Sequence, residues 1–363
     1  MTRLYFHTKI IVFFMLLASF WAAAPAQASW IWSPDIGKWI NSKKAAKDTP
    51  EEQYDWGLQF FNQKDWDRAI EEFEKLAEAF PASRLAAEGA YYVGLAWEKK
   101  DDLSKAADSY QTLVTRYPYS DRIKDAIKRE FEIANEFFEG SKVKVLGVKM
   151  LSGQDKALEL YNHIVKNAPF GTYGDQAQFK IGELYKKQGQ YDLSKKAFQT
   201  LVDEYPSSPL AAQARYEVAH SSMLASNSGQ FDEQHAEKAI EEFQDFKKEY
   251  PVEPQAVEAD ESIRQIREEK ALRALDVASF YETQKKWKSA KVYYEELIRN
   301  YPETPSAAEA KKRLDDVVRK EAEPENSKFP KLPKLPKISI PKPKMPSFPK
   351  LPTIKLWGKN EEK

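Results

Sequence analysis

The sequence predicts an all-α fold, a superhelix of about five to six helix pairs closed by a capping helix. Two observations predict it. Apolar residues recur at helical spacing in short segments that end at single prolines, and the same residue types return at fixed distances before those prolines. A helix pair of this size cannot bury its apolar face alone, so each segment implies neighbours that repeat it.

Three residue types stand at fixed distances before each proline that ends a unit. A small residue comes twelve positions earlier, an aromatic one eight earlier and a bulky apolar one five earlier. The six prolines are Pro81, Pro118, Pro169, Pro206, Pro251 and Pro302. Four units carry a further small residue 24 positions before the proline, at Gly57, Gly94, Gly182 and Ala278. This is the 34-residue tetratricopeptide pattern, in which small residues let the two helices of a pair approach, so we expect these positions to form the core.

The pattern is interrupted in two units and extended in a third. Segments 140–153 and 224–235 lengthen the third and fifth units, each between the two helices of a pair. Insertions of this kind are often where partners bind, and a passive loop is the alternative. Apolar residues at helical spacing without glycine or proline predict one long helix, or two nearly continuous ones, from about 255 to 284. A final helix from Ser306 to about Glu321 would cap the array.

The first 50 residues divide into two segments. Residues 1–28 have the three parts of a secretory signal: a basic start, an apolar run from 10 to 24 and the small-residue site Ala26-Gln27-Ala28. An uncleaved membrane anchor is the alternative, but the run is shorter than the roughly 20 residues that cross a bilayer. Segment 29–50 contains Trp30, Trp32 and Trp39, which either meet a membrane interface or cap the first repeat.

Composition changes abruptly in the C-terminal tail, residues 322–363. Nine prolines and eight lysines between Pro324 and Trp357 exclude a helix or a packed core and predict an extended spacer of the polyproline type. Its lysines could meet an anionic membrane surface, peptidoglycan or an acidic partner. The alternative is a solubilising tail without a ligand.

The composition and the absence of known motifs argue against catalysis and against a bound cofactor. The chain has 56 basic and 56 acidic residues, which disfavours nucleic acid as the main partner, and it has no cysteine. Its four histidines are scattered, so no metal site is expected; they are His7, His163, His220 and His235. No nucleotide-binding or nucleophile motif is found. The sequence therefore predicts a non-enzymatic protein without a cofactor.

A groove for a peptide or a partner is the more reasonable site. Stacked helix pairs form a concave surface lined by first helices, and apolar residues outside the packing positions would face it. The candidate groove residues are Tyr54, Leu58, Phe61, Tyr91, Leu95 and Phe179. Beyond Phe179 the stripe continues as Glu183 and Lys186, so the groove would turn polar. The alternative is that the first of these residues contact segment 30–49.

From about Gln154 to Leu314 the chain resembles BamD, the tetratricopeptide lipoprotein of the outer-membrane β-barrel assembly machine. The resemblance rests on APFGTYGDQAQ at 168–178, on DEQHAEKAIEEF at 232–243, and on the segment from VASFYETQ to SAAEA at 277–310. It divides the array into N-terminal repeats at 51–150 and a BamD-like core and cap at 151–321. The family's lipobox cysteine is absent, so we expect attachment to the membrane without acylation.

The resemblance implies a periplasmic scaffold, peripherally associated with the outer membrane, that acts in β-barrel protein assembly and insertion. Its C-terminal repeats would contact a BamA-like barrel-assembly protein, with Arg264, Arg267 and Arg273 in the contact, and its N-terminal repeats would engage unfolded outer-membrane proteins. The alternative function is a periplasmic scaffold that coordinates peptidoglycan synthesis or envelope constriction, with the basic tail on the cell wall.

Overall fold

The computed structural model describes residues 30–33, 38–41, 46–145, 148–228 and 231–322. These ranges hold thirteen helices and four short strands. The helices are α1 Pro50–Asn62, α2 Trp66–Ala79, α3 Arg84–Lys99, α4 Leu103–Arg116, α5 Ile123–Phe138, α6 Gln154–Asn167, α7 Gly174–Lys187, α8 Tyr191–Glu204, α9 Ala211–Ser226, α10 Glu233–Glu249, α11 Gln255–Thr283, α12 Trp287–Asn300 and α13 Pro305–Ala322. The strands are β1 Trp30–Ser33, β2 Lys38–Asn41, β3 Lys142–Val145 and β4 Val148–Ser152.

Helices α1 to α12 form six consecutive pairs, and α13 packs on the last pair. The predicted tetratricopeptide superhelix with a capping helix is therefore confirmed. In the described ranges, no helix combines the length and the apolar character needed to cross a membrane. The predicted signal segment 1–28 and the tail beyond Ala322 lie outside the described residues.

Tight turns join the two helices of a pair, and four of them place one residue in the left-handed region. Gly189, which the sequence marks as a turn, has φ 73°. Lys64, Asp101 and Lys285 take the same conformation in other pairs, with φ 62°, 56° and 55°. A residue with a Cβ pays roughly 1 to 2 kcal/mol for this conformation. The packing of the helices on either side of the turn must therefore offset that cost. A pair without glycine at this position has the same kind of turn as the pair with Gly189.

The close approach of the helices follows the predicted small residues. A Cβ atom on Gly57 would lie 2.7 Å from Cε1 of Phe73, and one on Gly182 would lie 2.6 Å from Cε1 of Phe198. These distances are well below van der Waals contact, so each aromatic ring occupies the space that a larger side chain would need. The sequence prediction that these positions are core is confirmed.

The other repeated positions are buried in all six pairs. The aromatic residues eight positions before the prolines are fully buried: Phe73, Tyr110, Tyr161, Phe198, Phe243 and Tyr294. The small residues twelve positions before the prolines are buried as well, and so are the bulky ones five before. Full burial of one such apolar side chain contributes roughly 1.5 to 3 kcal/mol, which makes these repeated residues the main source of the array's stability.

The two insertions differ in structure. Segment 140–153 forms a hairpin in which β3 pairs antiparallel with β4, with Val143 opposite Leu151 and an irregular register after Val143. This hairpin lies between α5 and α6, inside the third pair as predicted. Much of segment 224–235 is helical instead, because α9 continues to Ser226 and α10 begins at Glu233. The loop of the second insertion is therefore shorter than the sequence pattern indicated.

The long helix predicted over 255–284 is a single helix, α11, of 29 residues. At 1.5 Å per residue it is about 43 Å long. Its first half packs through Ala259, Ile263 and Ile266 into the core that α9 and α10 share, whereas Leu275 and Ala278 in its second half belong to a separate core with α12 and α13. One helix thus connects two hydrophobic cores.

The tryptophan-rich start forms a second hairpin, with Trp32 opposite Trp39 in the backbone register of β1 and β2. Strands were not predicted in this segment from the sequence. Whether its tryptophans meet a membrane or cap the first repeat stays a prediction, since their side chains are outside the described part of the structure.

Candidate interaction surfaces

The first predicted groove residues form an aromatic cluster on the first pair. The ring of Phe61 lies 5.0 Å from that of Tyr92 and 5.2 Å from that of Trp66, and the Tyr54 ring lies 6.1 Å from Tyr92. Leu58 packs in the same cluster, and all five side chains are half-buried. We call these five residues the aromatic face. It can supply an apolar ligand with ring surfaces that are already held in place by one another.

Trp66 and Tyr92 are members of the aromatic face that the sequence analysis missed. Tyr92 follows Tyr91 directly, and Trp66 opens the second helix of the pair, so neither lies on the predicted stripe of first-helix residues. The sequence feature that pointed to both residues is the high density of aromatic residues in the first two units. Burial raises the pKa of the Tyr54 hydroxyl.

The second pair continues the surface with a different chemistry. The Arg122 guanidinium lies 5.0 Å from the centre of the Tyr91 ring and donates a hydrogen bond of 2.8 Å to Glu88. Arg129 donates to Glu98 at 2.9 Å, and Leu95, between these groups along α3, is half-buried. The predicted residues Tyr91 and Leu95 are thus set among ion pairs, and the apolar surface ends here.

Segment 46–49 contacts a different side of the first pair. The Lys47 ammonium lies 4.4 Å from the centre of the Trp56 ring, and the Lys47 amide donates to Gln53 Oε1 at 2.7 Å. Gln53 is buried and also donates to Glu72. Thr49 also caps α1, because its hydroxyl accepts a hydrogen bond of 3.2 Å from the Glu52 amide. These contacts of residues 46–49 do not involve the aromatic face.

Phe179 is placed differently from the other predicted groove residues. It is only 6% exposed, and its ring packs edge-on against Phe198 at 5.1 Å. Its remaining surface opens on a cavity of about 550 Å³ that Lys180 and Glu183 also border. Phe179 can therefore offer only its edge to a ligand. Tyr54 and Tyr91 pack in the same way on Phe73 and Tyr110, at 5.8 and 5.7 Å, but they remain half-buried.

The three arginines predicted as a scaffold contact lie on α11 and are at least partly exposed. Arg264 pairs with Glu261 on the same helix. Arg267 donates a hydrogen bond of 2.7 Å to Glu303, and Arg273 lies 4.2 Å from the centre of the Phe231 ring. Each guanidinium thus already has a partner within the chain, and a bound protein would compete for it.

Arg267 and Arg273 border two adjoining cavities of about 600 and 340 Å³. Lys270 lies between them and is only 7% exposed, with its ammonium paired with Glu237 and 3.4 Å from Glu233. The sequence analysis did not single out Lys270, because a lysine on a charged helix face normally lies in solvent. We call the depression formed by these cavities between α10 and α12 the α11 cleft.

The described ranges contain no group of histidine and carboxylate side chains arranged to hold a metal ion. The buried carboxylate of Glu130 instead contacts His163 Nδ1 at 2.8 Å and accepts a hydrogen bond of 3.2 Å from Gln111. Burial raises the pKa of this carboxyl group. The arrangement joins α4, α5 and α6 and is a structural contact within the core.

Two protein-family models match the chain. Residues 150–327 match the YfiO model, described as an outer membrane lipoprotein, and residues 54–121 match a tetratricopeptide repeat model. No curated protein matches the chain. The first match extends from α6 to α13, and the second match covers the first two pairs.

Three similar solved structures share little sequence with this chain. A MamA protein is 14% identical, with 56% of this chain and 92% of that chain covered and a TM-score of 0.30. YrrB, described as a tetratricopeptide repeat protein with an unusual peptide-binding site, is 15% identical over 61% and 94% of the two chains, also at 0.30. A tetratricopeptide repeat protein from Parabacteroides merdae is 16% identical over 74% and 98%, again at 0.30. No argument about function follows from likenesses at this level.

The helix pairs, their small-residue contacts and the repeat-model match agree with one another. The chain is a tetratricopeptide-repeat protein in which residues 150–327 are similar to the YfiO family of outer membrane lipoproteins.

Proposed function

We propose that this protein is a non-enzymatic scaffold of the bacterial envelope that takes part in the assembly of outer-membrane β-barrel proteins, as a BamD-like adaptor. The observation that carries the proposal is the match of residues 150–327 to an outer membrane lipoprotein family, on a fold made of stacked helix pairs. Such folds bind other proteins along their helix surfaces. The protein would be exported through segment 1–28 and act in the periplasm, peripherally at the outer membrane.

In this proposal the two surfaces have separate roles. The α11 arginines contact a BamA-like barrel-assembly protein, because guanidinium groups form bidentate bonds with carboxylates of a partner. The aromatic face holds apolar side chains of unfolded outer-membrane proteins, since β-barrel strands carry an apolar residue at every second position. The Lys/Pro-rich tail and the tryptophan-rich start would hold the protein at the membrane surface, because the chain has no cysteine to carry a lipid.

Affinity capture of the full chain from solubilised envelope tests the proposal. A barrel-assembly protein should be recovered with the wild-type chain, and its recovery should fall at least tenfold with Arg264→Glu and Arg273→Glu combined. Arg319→Glu on α13 is the matched control, because Arg319 is also exposed and pairs with a carboxylate on its own helix. Recovery of cell-wall synthases without a barrel-assembly protein would overturn the proposal.

That last outcome would support the second candidate function, a scaffold for peptidoglycan synthesis or envelope constriction. One observation favours it: the tail carries ten lysines after Ala322, and such a segment can bind anionic cell-wall polymer. Sedimentation of the full chain with purified peptidoglycan, compared with a chain in which the tail lysines are replaced by glutamine, measures this directly.

A further inference from the structure

Helix α11 presents the same packing face twice. Ile263 stands twelve residues after the proline that ends the preceding unit, as Val93 and Ile181 do in the second and fourth units, and the three are 8%, 7% and 4% exposed. Each of these residues is covered by the second helix of the preceding pair. Val277 repeats this position 14 residues after Ile263, directly before the small residue Ala278. Fourteen residues are just under four helical turns, so both positions lie on nearly one face, about 21 Å apart.

The second of these faces has no helix over it. Helix α10 covers Ile263, but Val277 remains 43% exposed. The position of a further helix, between α10 and α12, is therefore vacant, and the α11 cleft occupies it. The regular stacking of the array is interrupted here, and the interruption leaves Val277 exposed beside a cavity of about 340 Å³.

The walls of the cleft carry more acidic than basic groups. Glu233, Glu237 and Glu241 follow one another at four-residue spacing along α10, and Glu296 and Glu303 lie on the opposite side. All five are exposed. The basic residues in the cleft, which are Arg267, Lys270 and Arg273, each have a carboxylate partner. The ring of Tyr301 completes the floor. A ligand for this cleft should therefore be extended, basic and partly apolar.

The chain contains a segment with these properties outside the described part of the structure. Residues 46–322 hold 41 basic and 51 acidic residues, whereas residues 323–363 hold ten lysines and four carboxylates. Within the tail, residues 331–337 read KLPKLPK. In a polyproline II helix, with three residues per turn and 3.1 Å rise, these lysines lie on one edge about 9 Å apart and the leucines on another. The lysine edge can pair with the carboxylates of the cleft, and the leucine edge can pack against Val277 and the Tyr301 ring.

We propose that residues 331–337 of the tail bind in the α11 cleft of the same chain. The path is short, because α13 ends next to the start of α12. Lys320 lies 5.0 Å from the centre of the Trp287 ring, and Glu321 is 3.5 Å from Lys291. The distance along α12 from Trp287 to Glu296 is about 14 Å, and a helix is roughly 10 Å wide. The eight residues 323–330 span about 25 Å when extended, which is sufficient to pass around α12.

Bound there, the tail would cover Arg267 and Arg273, two of the residues that we assign to the barrel-assembly contact. A partner that binds those arginines must then displace the tail, so the tail regulates access to this surface. This regulatory consequence rests on the proposed function. The docking of the tail does not, because it follows from the vacant face, the charges and the chain path.

The absence of cysteine allows a direct test in the full chain. Leu335→Cys in the tail and Gln244→Cys at the exposed rim of the cleft are introduced together, and the rate of joining by a short bis-maleimide crosslinker is measured. Docking raises the effective concentration of one thiol near the other. The rate should fall at least tenfold when Lys331, Lys334 and Lys337 are replaced by glutamate, and also in high salt, which screens these charges.

The tail variant cannot unfold the array, because the replaced lysines lie beyond its last helix. Glu241→Lys in the cleft should lower the crosslinking rate as well, while Glu204→Lys, an exposed reversal on α8, should leave it unchanged. Equal rates for the wild-type and glutamate tails would overturn the proposal. So would crosslinks that form mainly between chains and increase with protein concentration, because the occupant would then be a second copy.

The capture experiment separates this inference from the proposed function. Failure to recover a barrel-assembly protein would overturn the function and leave the crosslinking result intact. If both proposals hold, the tail variant with three glutamates should recover more barrel-assembly protein than the wild-type chain; an equal recovery would overturn the regulatory consequence alone.

Discussion

Gly94 offers the sharpest test of how the helix pairs are packed. A Cβ atom at this position would lie 2.6 Å from Cζ and 2.9 Å from Cδ1 of Tyr110. The ring cannot move away freely, because its hydroxyl donates a hydrogen bond of 2.6 Å to Glu98, which Arg129 also holds. Gly94→Ala must therefore either displace the ring or bend α3 away from α4.

The expected cost can be estimated from three contributions. Forcing an extra carbon into a packed core costs about 1 to 3 kcal/mol. Weakening the bond between Tyr110 and the charged Glu98 costs up to about 1.5 to 3 kcal/mol. Replacing glycine by alanine inside a helix recovers about 1 kcal/mol. With the first two contributions at their full values, the second pair should therefore lose about 1.5 to 5 kcal/mol of its local unfolding free energy.

Gly89→Ala is the matched control on the same helix. Its Cβ would lie 3.0 Å from Leu76 Cδ2 and 3.3 Å from Phe73 Cδ1, and a leucine methyl group can shift by a few tenths of an ångström. The crowding cost should be offset by the gain in helix propensity, so we expect a change of less than about 1 kcal/mol.

Native-state hydrogen exchange of the α3 and α4 amides is the suitable assay, because repeat arrays need not unfold in one step. Protection in these two helices should fall with Gly94→Ala and change little with Gly89→Ala. If Gly94→Ala is as stable as Gly89→Ala, the contact between Gly94 and the Tyr110 ring does not determine the packing of the pair, and the reasoning for Gly57 and Gly182 falls with it.

Three further changes test other parts of the molecule. Burial raises the pKa of the Glu130 carboxyl group next to His163. The contribution of Glu130 to stability is therefore present below the unfolded pKa and is lost as pH rises through the folded pKa. Glu130→Gln should reduce this loss of stability from pH 4 upward, and urea midpoints whose pH slope is unchanged would contradict the prediction. Leu58→Glu should weaken binding of an unfolded outer-membrane protein at least tenfold in a fluorescence titration. Leu193→Glu, which also replaces a partly exposed leucine, should not weaken it. Equal effects of the two variants would argue against the aromatic face as the binding surface. Asp102→Ala removes the side-chain acceptor for the Lys105 amide. The free energy of local opening in the first turn of α4, measured by hydrogen exchange, should fall by about 1 kcal/mol. Unchanged protection there would show that this cap contributes nothing.

The sequence predicted the parts of the structure that depend on local pattern. The offsets before Pro81 and its five counterparts identified the buried aromatic residues, since each ring must fill the space above a small residue in its own pair. The length of α11 was predictable for the same reason, because no residue in 255–284 breaks a helix. The hairpin at 140–153 was not predicted, because a short segment between two helices of a repeat is compatible with a loop as well as with two strands.

The candidate surfaces depended on contacts between units and were predicted only in part. Tyr54, Leu58 and Phe61 were found by their spacing, but Trp66 and Tyr92 join them from other helices. Phe179 occupies the same position in the repeat as Tyr54 and Tyr91, and all three rings pack on the second helix of their pair, yet of the three Phe179 alone is buried.

Stacked helix pairs follow from the residue pattern alone, because small residues, aromatic residues and prolines act within one pair and their spacing is visible along the chain. Which faces remain uncovered depends on the packing between pairs, which the pattern does not contain. Ile263 and Val277 occupy equivalent positions in the pattern, and the difference between them is whether a neighbouring helix lies over each one. That depends on where α10 begins relative to the far end of α11, which is a property of packing between pairs and not of any residue's own type.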